Sequence, residues 1–519
     1  MKRVLLVLAA LLWATSTFAA TNPKSDGIAW FEGDVDAAFA QAKRERKPLF
    51  LYWGAVWCPP CNQVKVTIFN RQDFINRSRS FVPVYIDGDS PAAQALASRF
   101  KVSGYPTMVL FRPDGTEVTR LPGEVEAEQY MRVLTLSMHA TRSVSSLLNA
   151  VQSGRGALTP ADWRLLAYYS WETDEQTVVP KAKVAATLAQ LGQACPPQHV
   201  AAKSRLTLKA VAAANDVAEK DRTFNRTAAL SQLEAVLADP VLARENFSVL
   251  TDSAGDIAGA LKLTAQERAR LFRSWDPLLA RWSDDASISR ADRLSAVNGR
   301  IELARLDAGD GGPLPPVLVN DVRFAARRAE KETTDKYERQ AVISAASYVL
   351  RQADLMEDSD EMLKAELSRS HSPYYFMLGL AGNARKRGDN EAALEWYSKA
   401  YDAATGTATR LEWGARYVRS LIELAPQDSQ RIEWAARSVI GELEAKPETF
   451  SGRSASALKG LGARVREWSE NSNEPEVLER LRETMDEVCG KLPAATPARE
   501  TCSGVFGAGK ATTSVTQTS

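Results

Sequence analysis

The sequence has almost no net charge and very few histidines. Lys and Arg number 65 against 64 acidic residues, and only three histidines occur among 519 residues. A balanced charge gives no electrostatic reason to expect nucleic acid or a charged membrane as a partner. The histidines, His139, His199 and His371, are isolated and do not have the spacing of metal ligands. Binding by bulk charge and a metal site are therefore both disfavoured.

Cysteine is also scarce. Cys58 and Cys61 lie two residues apart, whereas Cys195, Cys489 and Cys502 are scattered, so the count of five is odd. At least one cysteine therefore cannot pair within the chain. A disulfide between Cys489 and Cys502 would close a short loop, and two free thiols are the alternative. Cys195 is then the remaining thiol, buried and inert, unless it pairs across the helical part of the chain.

Long apolar runs are absent after the N-terminus. Lys2 and Arg3 precede an apolar stretch over 4–13, and Thr-Phe-Ala at 17–19 has the small-x-small form of a cleavage site. We therefore expect residues 1–19 to be a signal peptide and the mature protein to be soluble, with an uncleaved N-terminal anchor as the alternative. The segment resembles bacterial secretion signals, which predicts the periplasm, an oxidising compartment.

The first part of the mature chain alternates helical and strand patterns. An uninterrupted apolar run such as LFLYW at 49–53 is typical of a strand buried on both faces. Helical periodicity and apolar runs predict, in order, a helix at 34–46, a strand at 49–53, a helix at 61–69, a strand at 81–87, a helix at 91–100, a hairpin of 107–111 with 116–121, and a helix at about 124–138. The order predicts a compact α/β domain over residues 20–140.

The rest of the chain has the apolar spacing of helices. An all-helical region is predicted at 141–312 and a second helical region at 313–490, with the loop GDGGPLPP (309–316) as the break. Small and bulky residues alternate within 374–401 in a way that resembles a tetratricopeptide repeat. Such arrays present concave surfaces, so we expect this region to bind clients or partners. Residues 491–519 are expected to be a largely disordered tail.

Cys58 and Cys61 carry the chemistry, and three interpretations compete. A structural zinc site needs four ligands, and a structural disulfide over so short a loop removes little chain entropy. Redox chemistry remains. Cys58 lies where a strand ends and a helix begins, and free N–H groups and the helix dipole at that place lower a thiol pKa below about 8.5. We therefore predict Cys58 as the nucleophile and Cys61, one turn later and less exposed, as the resolving cysteine.

The motif Trp57-Cys58-Pro59-Pro60-Cys61, followed by Tyr105-Pro106-Thr107 before a hairpin, resembles the thioredoxin superfamily. Over residues 30–138 the chain is most similar to the periplasmic domain of membrane thiol-disulfide interchange reductases and to related secreted thioredoxin-like proteins. The expected fold class is thus an α/β thioredoxin-like N-terminal domain followed by a large all-α helical-repeat region.

The resemblance also implies roles for three residues beside the cysteines. Pro106 is expected to follow a cis peptide bond and to face Cys58, and Trp57 and Tyr105 are expected to line the substrate groove. Each has a plainer alternative. Pro106 is then a trans proline at a strand start, Trp57 a core aromatic, and Tyr105 a packing residue before a turn.

The sequence departs from the thioredoxin pattern in two ways. Tyr52 stands where thioredoxins usually carry a buried aspartate, and a buried phenol is a poor base near neutral pH. The proton acceptor for Cys61 is then water or another residue. Pro59 and Pro60 lack N–H groups that could stabilise the Cys58 thiolate, which predicts a more reducing couple than in strongly oxidising relatives.

These observations lead to one main functional hypothesis. The protein is expected to be a periplasmic thiol-disulfide oxidoreductase of the protein-disulfide reductase type, without metal or other cofactor. It would act on protein thiols and disulfides together with a membrane or soluble redox partner. A helical-repeat scaffold that uses the thioredoxin-like domain as a non-catalytic docking module is the alternative, and a metal-delivery protein is a third.

Overall fold

A computed structural model of the protein describes residues 27–123, 125–173, 177–309 and 312–507. The predicted signal peptide, the predicted cleavage site and the last part of the predicted tail lie outside the described residues. Among the described helices none is both long enough and apolar enough to cross a membrane.

The N-terminal part is a four-stranded sheet with helices packed on both faces. Its elements are α1 (Val35–Glu45), β1 (Leu49–Gly54), α2 (Pro59–Val64), α3 (Gln72–Ser78), β2 (Val82–Asp87), α4 (Pro91–Phe100), β3 (Thr107–Phe111), β4 (Glu117–Leu121) and α5 (Ala127–Met138). The strand order is β2-β1-β3-β4, and β1 runs parallel to β2 and antiparallel to β3. Because β1 has a partner on each side and a helical layer on each face, every residue in it is buried.

The predicted elements agree with the structure except near the cysteines. The helix predicted at 61–69 begins at Pro59, and its second half, Lys65–Phe69, is a π-helical turn. The sequence analysis missed α3, whose seven residues bury only Phe74 and Ser78. So short and polar a segment has no apolar face from which a helix could be predicted.

The second part of the chain is helical throughout the described residues. Its α-helices are α6 (Val144–Ser153), α7 (Pro160–Ala167), α8 (Val184–Ala194), α9 (Val200–Ala213), α10 (Arg226–Ala238), α11 (Pro240–Glu245), α12 (Phe247–Asp252), α13 (Ala254–Leu261), α14 (Ala265–Asp284), α15 (Arg290–Ala308), α16 (Pro316–Glu332), α17 (Lys336–Gln352), α18 (Met356–Glu366), α19 (Pro373–Lys386), α20 (Asn390–Ala403), α21 (Thr407–Leu424), α22 (Ser429–Gly441), α23 (Gly452–Ser472), α24 (Pro475–Gly490) and α25 (Pro497–Ser503). The fold class predicted from the sequence, an α/β unit followed by a large helical region, is confirmed.

The two parts share their hydrophobic cores. Tyr130 and Leu134 of α5 belong to the same buried cluster as Leu147 of α6 and Trp163 of α7. The predicted boundary at residue 140 therefore stays a proposal, and packing is continuous across it. The segment interpreted as a tetratricopeptide repeat forms the adjacent helices α19 and α20, and its assignment to that repeat class also stays a prediction.

The C-terminal segment differs from the expected disordered tail. Residues 491–507 fold onto the preceding helices, and Cys489 forms a disulfide with Cys502 in α25. Val505 and Phe506 are buried, and the carbonyl of Val505 lies so close to α23 that only glycine fits at Gly462. The prediction of disorder does not hold for residues 491–507. Besides the disulfide and the buried side chains, Arg466 and Arg482 donate hydrogen bonds to the carbonyls of Val505 and Phe506.

Cys195 is the free cysteine among the described residues, and it is buried. Burial raises the pKa of its thiol to about 11, so it stays protonated at neutral pH. This agrees with the expectation of an inert thiol.

Candidate functional site

The two cysteines lie where strand β1 gives way to helix α2. The backbone N–H of Cys58 donates to the carbonyl of Ala55 at 3.2 Å, and this turn places Cys58 at the N-cap of α2. Pro59 and Pro60 occupy the first helical positions, where a missing N–H costs nothing. Cys58 and Cys61 form a disulfide, with their Cα atoms 5.2 Å apart.

The helix start offers Cys58 one backbone donor within the motif. The N–H of Cys61 lies 3.3 Å from the Cys58 sulfur, whereas Pro59 and Pro60 have no N–H to offer. When the disulfide is reduced, this N–H and the helix dipole favour the thiolate of Cys58. The site therefore favours the ionised form of Cys58, which is the form that attacks in thiol-disulfide exchange.

The peptide bond between Tyr105 and Pro106 is cis, which confirms the expectation for Pro106. The Cys58 sulfur lies 3.5 Å from the carbonyl oxygen of Tyr105. The ring centroids of Trp57 and Tyr105 are 6.4 Å apart. The structure thus brings together all five residues singled out from the sequence, and their roles stay predictions.

The two cysteines are equally buried, so the prediction that Cys61 is less exposed than Cys58 was wrong. Cys58 and Cys61 are each 3% exposed, and Trp57 is 6% exposed. Cys61 is covered by its own helix, as expected. Cys58 is covered because the helical region packs over the motif, so that Trp57, Cys58 and Cys61 belong to the same buried cluster as residues of α19–α25.

Aromatic rings form the cover over Trp57. The ring of Tyr375 stacks on Trp57 at 6.1 Å with 20° between the planes, and the centroid of Trp413 lies 5.3 Å from Trp57. The guanidinium of Arg453 lies 5.6 Å from the Trp57 ring and 4.6 Å from the Tyr105 ring. Trp57 is therefore a core aromatic of this chain, and its role in a substrate groove stays a prediction.

Polar side chains of the helical region bind the backbone carbonyls of the two residues that precede Cys58. The amide of Gln340 in α17 donates to the carbonyl of Trp57 at 3.2 Å. Nε2 of His371 lies 3.0 Å from the carbonyl oxygen of Val56, so it donates and carries the ring proton. Burial is the main reason that the pKa of His371 lies below its usual value, which keeps this imidazole neutral at pH 7.

Asp89 joins the site to the helical region. Its carboxylate accepts a hydrogen bond from Nε1 of Trp57 at 2.9 Å and a second one from the hydroxyl of Thr409 in α21. Burial raises the pKa of Asp89 to about 6, and the nearby carboxylate of Asp87 adds to the rise. The hydrogen bonds and the charge of Arg453 act in the opposite direction.

Tyr52 is a packing residue. Burial raises the pKa of its phenol well above the ordinary value of 10.0, so it cannot accept a proton from Cys61 near neutral pH. Its ring packs at 4.8 Å from Phe69 and 5.5 Å from Tyr85. This agrees with the interpretation of Tyr52 as a strand aromatic.

The residues that cover the site were not predicted from the sequence: Asp89, Gln340, Tyr375 and Arg453. Trp413 is buried and also packs against Trp57. No local signal marks these residues, because each meets the motif through folding of distant segments.

The part of the chain that carries the site is similar to known thioredoxin-like proteins. Residues 35–136 match the thioredoxin-like domain family. The thiol:disulfide interchange protein DsbD 1 of Pseudomonas aeruginosa is 30% identical over 97 residues, which cover 18% of this chain and 16% of that protein. DsbD of Pseudomonas fluorescens is 30% identical over 130 residues, covering 24% of this chain and 21% of that protein. The chain thus spans only about a fifth of the length of these relatives.

One solved structure, a circular tandem repeat protein, covers 70% of this chain and 84% of its own at 15% identity, but its TM-score of 0.18 supports no common fold. Thioredoxin of Mycolicibacterium smegmatis is 32% identical over 89 residues, which cover 17% of this chain and 77% of that protein. Most of a whole thioredoxin is therefore represented. The chain belongs to the thioredoxin-like family through its N-terminal domain.

Proposed function

We propose that the protein is a thiol-disulfide oxidoreductase whose reacting atoms are the sulfurs of Cys58 and Cys61. The observation that carries the proposal is the Cys58–Cys61 disulfide at the start of α2, with the Cys58 sulfur 3.5 Å from the carbonyl that precedes cis Pro106. The similarity to the thiol:disulfide interchange protein DsbD 1 and to a thioredoxin supports it.

The reaction is an exchange of sulfur–sulfur bonds. In the reduced protein the Cys58 thiolate attacks one sulfur of a substrate disulfide, and the other substrate sulfur leaves as a thiolate. The Cys61 thiolate then attacks the Cys58 sulfur, forms the Cys58–Cys61 disulfide and releases the second substrate thiolate. Two electrons pass to the substrate, and the two protons lost by the cysteines balance those that the product thiols take up. The reverse sequence oxidises substrate thiols.

The compartment and the partners belong to the same proposal. The basic and apolar N-terminal residues support the periplasm, where a membrane or soluble partner would supply or remove the electrons. Protein thiols and disulfides were the substrates expected from the sequence. Because the helical region covers Cys58, we propose that it determines which thiols and disulfides reach this sulfur. Osmotic-shock fractionation of cells, followed by immunoblotting, tests the compartment.

The activity is tested by reduction of a chromogenic aryl disulfide, in the presence of dithiothreitol, by the wild type and by Cys58→Ser. We expect the activity above background to disappear in Cys58→Ser and to remain in Cys195→Ser, whose thiol lies outside the site. Equal rates for the wild type and Cys58→Ser would eliminate the oxidoreductase. The burial of Cys58 favours a second candidate, the non-catalytic docking module, and that outcome would support it.

A further inference from the structure

A cavity of about 680 Å³ adjoins the redox motif. Trp57, Pro59, Pro60 and Gln63 line one wall, and helices of the second part of the chain, among them α15, α17, α19 and α21, line the others. This volume lies in the range of about 300–1,000 Å³ that is typical of sites for small ligands. Cys58 does not itself line the cavity, but the residues on both sides of it do.

Two arginines give one part of this cavity a positive charge. Arg351 and Arg416 both line it, and among the described residues neither is found in an ion pair with a carboxylate. The guanidinium of Arg351 lies 5.3 Å from the Tyr348 ring. Both arginines lie near Tyr375. Burial raises the pKa of this phenol, the charge of Arg416 lowers it, that of Glu412 raises it and that of Arg351 lowers it. Because Tyr375 stacks on Trp57, the guanidiniums are close to the redox motif.

Two acidic residues that line the cavity have polar partners on the protein. Glu412 forms an ion pair with Arg453 at 2.5 Å. Glu302 in α15 accepts hydrogen bonds from the N–H of Gly255 and the amide of Asn298, both at 2.8 Å, and burial raises its pKa. Asp252 at the end of α12 lines the cavity as well. Of the arginines that line the cavity, Arg351 and Arg416 therefore have no carboxylate partner in the described part of the chain.

The cover over Trp57 limits the size of the substrate. A folded protein surface could reach Cys58 only after Tyr375, Trp413 and Arg453 had left the Trp57 ring. A short peptide in the cavity would lie beside Trp57 and Pro59, which flank Cys58, without separation of the two parts of the chain. Displacing one or two side chains costs less than separating the interface between the two parts of the chain.

We propose that the substrate of this redox centre is a short acidic peptide disulfide, whose carboxylates bind Arg351 and Arg416 while its disulfide reaches Cys58. The proposal rests on the proposed oxidoreductase activity, and the bonds formed and broken are those of the exchange described for it. Guanidinium groups are well suited to carboxylates because they donate two parallel hydrogen bonds.

The test uses two pentapeptides, each with one cysteine and each prepared as its symmetric disulfide. One carries two glutamates beside the cysteine, and the other carries two lysines there. The full-length protein is reduced and freed of reductant, and formation of the Cys58–Cys61 disulfide is followed by acid quenching and mass spectrometry. We expect the acidic peptide to react about tenfold faster than the basic one, an effect of charge complementarity on association.

The double variant Arg351→Gln/Arg416→Gln should lose this preference while its reaction with the basic peptide is no slower. Arg419→Gln is the matched control, because Arg419 is exposed on the same helix as Arg416 and does not line this cavity. Binding of the acidic peptide with serine in place of cysteine, measured by calorimetry on the oxidised protein, provides a readout without redox chemistry. It should weaken about tenfold in the double variant only.

Equal rates for the two peptides in the wild type would overturn the proposal. So would an equal loss of preference in Arg419→Gln, or a rate as fast with a folded protein that displays the acidic disulfide in a surface loop. A failure of the proposed activity looks different, because neither peptide would then oxidise Cys58, while the calorimetric result would still decide whether the cavity binds acidic peptides.

Discussion

The carboxylate of Asp89 accepts a hydrogen bond from the hydroxyl of Thr409, a residue 320 positions further along the chain. The same carboxylate holds the indole N–H of Trp57, which directly precedes Cys58. One buried side chain thus connects the redox motif with α21 of the helical region. Whatever loosens this connection should change how easily reagents reach Cys58.

Thr409→Val keeps the size of the side chain and removes the hydroxyl. The loss of a buried hydrogen bond to a carboxylate costs about 1–3 kcal/mol, so the cover should open more often. We expect Cys58 of the reduced protein to react with iodoacetamide severalfold faster than in the wild type, as measured by peptide mass spectrometry. Thr407→Val, an exposed threonine at the start of the same helix, should have no effect. An unchanged rate in Thr409→Val would show that the hydrogen bond does not hold the cover.

Asp89 should make the stability of the protein depend on pH. Burial raises its pKa from 3.8 to about 6, so between these values the folded protein holds a proton that the unfolded chain releases. The free energy of unfolding should therefore fall as the pH rises from about 4 to about 6, by on the order of 2–3 kcal/mol. Asp87, whose pKa burial also raises, and Arg453 face the same carboxylate.

Asp89→Asn isolates this contribution. The free energy of unfolding of both proteins is measured in urea at pH 4.5, 5.5 and 6.5. The value for the variant minus the value for the wild type should increase as the pH rises. Effects of carboxyl groups that do not interact with Asp89 cancel in the comparison. A difference that is the same at all three pH values would contradict the raised pKa.

Tyr52→Phe should leave the activity within about twofold of the wild type, since a buried phenol does not act as a base near pH 7. The variant removes only the hydroxyl and keeps the ring contacts with Phe69 and Tyr85. The rate of aryl disulfide reduction from pH 6 to pH 9 provides the measurement. A large loss, or a shifted pH profile, would mean that the hydroxyl takes part in proton transfer from Cys61.

Removal of the second disulfide should destabilise the C-terminal segment without affecting the redox reaction. Cys489 and Cys502 are 13 positions apart, and closing a loop of about this length contributes roughly 3 kcal/mol in the chain-entropy description. We expect Cys489→Ala/Cys502→Ala to expose α25 to limited proteolysis and to lower the unfolding temperature. Disulfide reduction at 25 °C should be unchanged. If cleavage by protease were the same as in the wild type, the buried Val505 and Phe506 alone would hold the segment.

The reduction potential of the Cys58–Cys61 pair should lie well below about −120 mV, the value of strong periplasmic oxidants. Pro59 and Pro60 supply no N–H to the Cys58 thiolate, and the N–H of Cys61 is the backbone donor found at its sulfur. Fewer donors stabilise the reduced form less. Equilibration with glutathione buffers and mass spectrometry measures the potential, and a value near −120 mV would contradict this account.

The sequence was sufficient for the parts of the fold that depend on local periodicity. The run at 49–53 predicted β1, the segments 107–111 and 116–121 were predicted as the hairpin that β3 and β4 form, and the cysteine motif was placed correctly at the start of a helix. The covered state of Cys58 could not be predicted. It depends on Tyr375, Trp413 and Arg453, which approach Trp57 only after some twenty helices have packed, and nothing in their own neighbourhood distinguishes them from ordinary core or surface residues.

The position of Thr409 so late in the chain has a consequence for folding. Every strand of the sheet precedes residue 122, whereas Thr409 lies 320 positions after Asp89. A chain that folds from its N-terminus as it emerges in the proposed periplasm would therefore form its sheet before the helices that cover Cys58 have packed. At that stage the sulfur would be open to thiols and disulfides that the finished protein excludes.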